Sequence, residues 1–244
     1  MFSRFSVRSV CAGLGIALTA SSALAASVTT RAGLGGDDYI DWGQIGFETG
    51  GLFGPQVEVS SFGGLAANVS NPVGLRRADQ TGCGGTYPAN FAPCDATIFG
   101  NDLRARPNAL TIDFASPVTG GGSQFASTVF AGPITAQLKA FDSAGVLLES
   151  YTLDGITTGA ADNSALFLGI VRAQADIARL EFSVLPYEVS GLGTFEAVGI
   201  NRVELLVAAP IPEPAAAMLM LLGLPLAALA AQRRRQPRQP QATA

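Results

Sequence analysis

At 244 residues the chain has room for one ordinary domain plus targeting segments. Glycine (29) and proline (14) are plentiful and charged residues make up only 14%, a composition suited to many short strands joined by turns rather than long helices. The net charge is −4, yet six arginines lie in the two terminal stretches, so the body between them is more acidic than the whole. Such a body repels phosphates, and no basic patch interleaved with aromatics appears in it, which argues against nucleic-acid binding. The chain has no histidine, which removes Ser-His-Asp triads, Cys-His pairs and histidine-based zinc sites.

Met1 to Ala25 reads as a secretory signal peptide. Arg4 and Arg8 give the positive start, and the apolar middle from Val10 to Ala20 is too short to span a bilayer. Ala23-Leu24-Ala25 puts small residues at the two positions that signal peptidase reads, which places cleavage after Ala25 or one residue later. The reading implies the Sec machinery and signal peptidase as partners. Cys11 sits inside the apolar run without a lipobox before it. Processing therefore leaves Cys83 and Cys94, an even number in an exported chain, and the two are expected to pair. Closing so short a loop stabilises a fold by about 3 kcal/mol in the chain-entropy model. The alternative is two buried free thiols, which a thiol titration distinguishes.

The body is predicted over residues 26–208. Asp37, Asp38 and Asp41 cluster around Tyr39 and Trp42. Spaced carboxylates can hold calcium through their oxygens, so Ca2+ is a candidate cofactor. The spacing matches no EF-hand, however, and the plainer reading is an acidic turn before a strand with Trp42 anchored in the core. Residues 50–100 are rich in glycine and turn residues, with Asn71-Pro72 and Tyr87-Pro88 marking turns. A short strand is expected over Val57 to Ser61, and few strong strands beside it.

From Ala109 the period-two signal sharpens. Leu110, Ile112 and Phe114 alternate with Thr111 and Asp113, and Phe125 to Phe130 continues more weakly. Ile134 to Phe141 and Val146 to Leu153 read as a hairpin around Asp142-Ser143-Ala144-Gly145. Leu166 to Val171 is a continuous apolar run, expected as a buried strand. Ala178 to Val184 alternates, and the last strand is expected over Gly199 to Val207. Gly120-Gly121-Gly122 is no phosphate loop, because no lysine-serine/threonine pair follows. Strands at this spacing without an amphipathic helix argue for an all-β antiparallel sandwich.

The stretch from Leu110 to Leu205 resembles bacterial jelly-roll domains at Asp113-Phe114, Ala140-Phe141-Asp142 with Gly145, Phe167-Leu168-Gly169-Ile170 and Ile200-Asn201-Arg202-Val203. Relatives of that kind include carbohydrate-binding and calcium-binding modules, and fold alone does not select between them.

After a linker over residues 209–214 comes an apolar run from Ala215 to Ala231, about 17 residues or roughly 26 Å as a helix, at the short end for crossing a bilayer. A transmembrane helix is expected over residues 215–232. Pro225 inside it can kink the helix, which membrane spans tolerate. Residues 233–244 form a basic tail whose arginines favour the cytoplasmic side, so the body faces outward. The order Pro212-Glu213-Pro214, apolar span and Arg233, Arg234, Arg235 resembles the PEP-CTERM sorting tail of Gram-negative bacteria. The phrase from Asp38 to Gly46 looks like the opening of many surface proteins of that family, but carries no function with it. The resemblance implies exosortase, a membrane protease, as a partner, passage through the inner membrane, and delivery to the cell surface or extracellular matrix.

Three function classes follow. The first is a structural or adhesive protein of the exopolysaccharide or biofilm matrix. The second is a binding module for surface polysaccharide, with Tyr39, Trp42, Tyr87, Tyr151 and Tyr187 as available aromatics, although each is more often a core or rim residue. The third, a glycoside hydrolase built on carboxylates such as Asp113 and Asp142, ranks last, because exposed polar positions on a sheet are the ordinary explanation; no enzymatic role is expected.

Overall fold

A computed structural model describes residues 25–46, 52–82, 84–102, 108–127, 131–191 and 193–207. Every strand pair in it is antiparallel. The signal peptide up to Leu24, the PEP tripeptide, the apolar run and the terminal arginines lie outside the described residues. Among the described residues, no helix is long and apolar enough to cross a membrane.

One sheet has six strands in the order β11 (Leu147–Thr157), β10 (Gly132–Phe141), β13 (Ile177–Val184), β8 (Leu110–Val118), β5 (Ala66–Ser70) and β4 (Gln56–Ser60). The other has nine. Its path runs β1 (Ala26–Val28), β12 (Leu166–Val171), β9 (Gly120–Ser127), β16 (Val198–Ile200), β7 (Ala96–Gly100), β6 (Leu75–Asp79) and β3 (Leu52–Phe53), with β17 (Val203–Leu206) joining β9 to β2 (Asp38–Ile40). A separate hairpin pairs β14 (Tyr187–Val189) with β15 (Gly193–Phe195).

The alternation seen in sequence is what joins the sheets. Ile112, Leu138, Leu180 and Phe182 from the six-stranded sheet share one buried core with Phe125, Ile170, Ile200 and Leu205 from the other. Phe125 and Phe182 meet across it with ring centroids 5.6 Å apart. The same alternation puts polar side chains on the far face of the six-stranded sheet, where Asp113 lies opposite Arg179 and Lys139 opposite Glu181 in register.

The far face of the nine-stranded sheet is covered instead. The one-turn helix α1 (Arg31–Leu34) packs over β9 and β12. A second small core of Tyr87, Ala89, Phe91, Ala126 and Ala165 seals another part. It is tied by Ala161 N–H to the Ala89 carbonyl (3.1 Å) and Ala165 N–H to the Asn90 carbonyl (2.9 Å). Covered on both faces, β9 is buried along its whole length. Its three leading glycines let its neighbours close in: a Cβ on Gly122 would sit 2.5 Å from Gly169 Cα, and one on Gly121 would sit 2.7 Å from Leu180 Cδ1.

Three expectations change. The short strand expected over Val57 to Ser61 is β4, but the described part of residues 50–100 holds four more, β3, β5, β6 and β7; these are short and separated by turns, so their alternation is too brief to read. The strand expected over Gly199 to Val207 is broken at Asn201-Arg202 into β16 and β17, both lying along β9. The stretch expected from Phe125 to Phe130 begins earlier, at Gly120, and its end runs beyond the described residues.

Candidate functional site

The site grows from the connection between β4 and β5. Buried Asp38 accepts from Tyr39 N–H (2.8 Å), from Gly63 N–H (2.7 Å) and from the Ser61 hydroxyl. Gly63 must be glycine, since a Cβ there would lie 2.8 Å from Asp38 Oδ2. The turn closes on itself through Ser61 N–H to the Leu65 carbonyl (2.8 Å) and Leu65 N–H to Ser61 Oγ (2.9 Å). Phe62 N–H donates to the Tyr39 carbonyl at 2.8 Å. Held this way, Phe62 is 81% exposed while its ring stacks on Tyr39, with centroids 5.2 Å apart and planes 10° apart. The Arg202 guanidinium lies over the same Tyr39 ring at 4.7 Å.

Next to it runs a short 3-10 turn, Trp42–Ile45. Asp41 caps it by accepting Gly43 N–H at 2.7 Å. Trp42 is fully buried and donates its indole N–H to the Asn201 carbonyl at 2.8 Å. The Gln44 side-chain amide acts as one more strand residue against the edge of β4: Oε1 accepts Ser60 N–H (2.9 Å) and Nε2 donates to the Ser60 carbonyl (2.9 Å). An edge strand leaves such groups unpaired, and here a side chain fills the place.

From this corner a groove of about 500 Å³ opens along β4, β5 and β8. Ser60, Ala66 and Ala115 are small, which lowers one row of the surface. The row beside it is polar: Glu58 is paired with Asn68, and Asn68 with Asp113. Asp113 is ion-paired with Arg179. Asn68 Oδ1 is buried and has no protein partner. A second depression of about 280 Å³, bounded by Tyr39, Asp41 and Phe62, shares Gln44 and Ser60 with the groove. The lining of both carries three carboxylates and no basic side chain. Chemically, the site offers hydrogen-bond acceptors beside a flat apolar ring.

The remaining sequence candidates lie elsewhere. Asp37 accepts Val207 N–H at 2.8 Å, so Asp37, Asp38 and Asp41 each serve backbone donors in different places. Among the described residues, no three Asp, Glu or Cys side chains gather as a metal-binding group; the calcium candidate finds no support in this geometry. Asp142 holds the β10–β11 turn by accepting Ala144 N–H (2.9 Å) and Val146 N–H (2.8 Å), and does not line the groove. Cys94 is disulfide-bonded; Cys83, its expected partner, lies outside the described residues. Of the aromatics, Trp42 and Tyr87 are core residues. Burial pushes the Tyr87 hydroxyl well up, with Tyr187 adding to it. Tyr187 meets Ser127 Oγ at 2.5 Å. Tyr151 is raised by burial and by Glu149, and reaches the Ala25 carbonyl at 3.4 Å. Of these aromatics only Tyr39 reaches the site, at the second depression beside the groove.

Sequence reasoning missed Phe62, Glu58 and Asn68. The alternation of Val57 and Val59 carried a signal for Glu58, but nothing local marks Phe62 as exposed. A polar hub was missed as well. At the β16–β17 break, Asn201 Nδ2 donates to Asp95 Oδ2 and Gln124 Oε1, both at 2.7 Å. Arg31 joins it through Gln124 Oε1 (3.0 Å) and Glu204 (2.7 Å).

No family model matches the chain, and no curated protein matches it. Among solved structures, a DUF4465 family protein from Bacteroides caccae is similar at a TM-score of 0.45 and 9% identity, over 70% of this chain and 100% of that one. CsCBM6-3 from Clostridium stercorarium, solved in complex with cellobiose, is similar at a TM-score of 0.22 and 10% identity, over 75% of this chain and 94% of that one. Neither likeness bears on the chemistry of the groove.

Proposed function

We propose that this chain is an exported protein of the bacterial envelope, a jelly-roll-like sandwich sorted by a PEP-CTERM-type tail. Its role is structural or adhesive, within the exopolysaccharide matrix or at the cell surface, and no catalytic step is assigned to it. The observation that carries the reading is that the stretch just after the expected cleavage point is built into the sandwich: β1 pairs in register with β12, Ala26 opposite Val171 and Val28 opposite Gly169. A disulfide at Cys94 suits an oxidising compartment outside the cytoplasm.

In this reading exosortase acts on the segment at Pro212-Glu213-Pro214. Its two prolines prevent the apolar helix from running into the sandwich and leave an extended stretch open to a protease. Replacing all three residues by alanine is expected to retain the protein in the inner membrane. Unchanged delivery to the surface would reduce the tripeptide to a linker. A second reading, binding of surface polysaccharide, is favoured by one observation, the exposed ring of Phe62 at the edge of an acceptor-lined groove.

A further inference from the structure

We propose that the groove running from Phe62 past Ser60 to Asn68 binds hexopyranose units of a polysaccharide that lacks acidic groups. The proposal deepens the polysaccharide reading and rests on export only for where such a polymer is met.

Phe62 supplies the first argument. A ring that is 81% exposed is ordinarily a loosely held loop residue, but this one is fixed from four directions. Its N–H is bound to Tyr39, its ring is stacked on Tyr39, and the residues on either side, Ser61 and Gly63, are both bound to buried Asp38. The flat face is therefore presented to solvent at little further entropic cost on binding. A pyranose ring is apolar on the face that carries its axial hydrogens and polar around its rim. It can lay that face on an aromatic ring, whose negative π-face attracts polarised C–H groups.

The second argument is the rim. A sugar laid on Phe62 meets Asp41 and Gln44 in the same depression, and a following unit along the groove meets Glu58 and Asp113. Asn68 lines that groove too, and its Oδ1 is buried without a protein partner, an atom costly to leave unmade. Hydroxyl donors match this set, since each can satisfy a carboxylate or amide oxygen.

Charge selects among sugars. Asp41, Glu58 and Asp113 line the site with no basic residue among them; Asp113 is offset by Arg179, and the negative charge of Asp41 and Glu58 disfavours uronates and sulfated sugars. The two depressions share Gln44 and Ser60, which makes one continuous track longer than a single depression. Its larger part, about 500 Å³, is of the size that small-molecule sites usually have. A chain of sugars suits it better than one ring.

The test is isothermal titration calorimetry on the full chain in detergent micelles, with the uncharged polymers dextran, laminarin and pullulan as acid-free ligands and alginate as the acidic control. At least one acid-free polymer is expected to bind and alginate is not. Phe62→Ala should weaken binding by about tenfold or more with unchanged thermal stability, and Phe62→Tyr should restore most of it. Asn68→Ala should weaken it as well. Three results would each overturn the proposal: no binding to any acid-free polymer, alginate binding as tightly as they do, or Phe62→Ala binding as the parent does. Self-association abolished by Phe62→Ala would overturn it too, in favour of a second copy as the occupant. None of these outcomes touches delivery, which the alanine-tripeptide variant reads by cell fraction alone.

Discussion

Tyr87 is buried, and its hydroxyl has no hydrogen-bond partner among the described residues. Replacing it with phenylalanine removes a desolvated polar atom and leaves the ring packing on Phe91 and Phe99. Stability by urea denaturation should stay level or rise by up to about 1 kcal/mol. The pH dependence follows from the same burial. With its folded pKa raised above an unfolded value of about 10, Tyr87 keeps its proton in the native state after the unfolded chain has lost it. Its contribution is whole below about pH 10 and is lost as pH rises further, so Tyr87→Phe should flatten the alkaline loss of stability. Asn201 behaves in the opposite way. Its amide is fully buried and bonded to Asp95 and Gln124, so Asn201→Ala should cost about 2–4 kcal/mol by the same assay. The burial of Tyr87 fits the ordinary core-or-rim reading of an amphipathic aromatic, but its unpartnered hydroxyl was not legible, and neither was the hub at Asn201, because burial by distant segments leaves no local mark.

At the scale of elements, β9 is the most constrained strand. Gly122→Ala would press a methyl group against the backbone of β12, and a cost of about 2–3 kcal/mol or failure to fold is expected. Gly159→Ala has open space around its Cβ and should change stability by no more than about 0.5 kcal/mol. Thermal melts of the pair check this. Strands with long alternation were legible: β8, β10 and β13 stand where the sequence places them, because one face is core and the other is solvent. The break between β16 and β17 was legible only as a phase slip. Ile200 is buried, and so are Val203 and Leu205, an odd spacing that a single strand cannot put on one face. Of the short strands between residues 52 and 100, β4 was legible, as Val57 to Ser61, and the others were not. Each is at most five residues long, and β3, β6 and β7 pair across turns and loops that break any alternation.

For the whole molecule, an unequal sandwich follows from what covers each sheet. The nine-stranded sheet is closed outside by α1 and by the second core, so beneath them β12 reads as a continuous apolar run and β9 as a largely small-residue one. The six-stranded sheet leaves its far face to solvent, and the groove lies on that face. The all-β class was legible from the sequence. The groove was not, since it joins a loop, a 3-10 turn and three strands that only the fold brings together. Above that level the proposed function depends on export, with the body outside the cytoplasm and the groove exposed to the matrix. The most direct test is the intact mass of the protein from its native host together with the cell fraction that holds it. The account predicts a chain beginning at Ala26, or one residue later, lighter by the hydrogens that a Cys83–Cys94 bridge releases and recovered with the envelope or matrix. A polypeptide that still begins at Met1 and is recovered from the cytosol would contradict it.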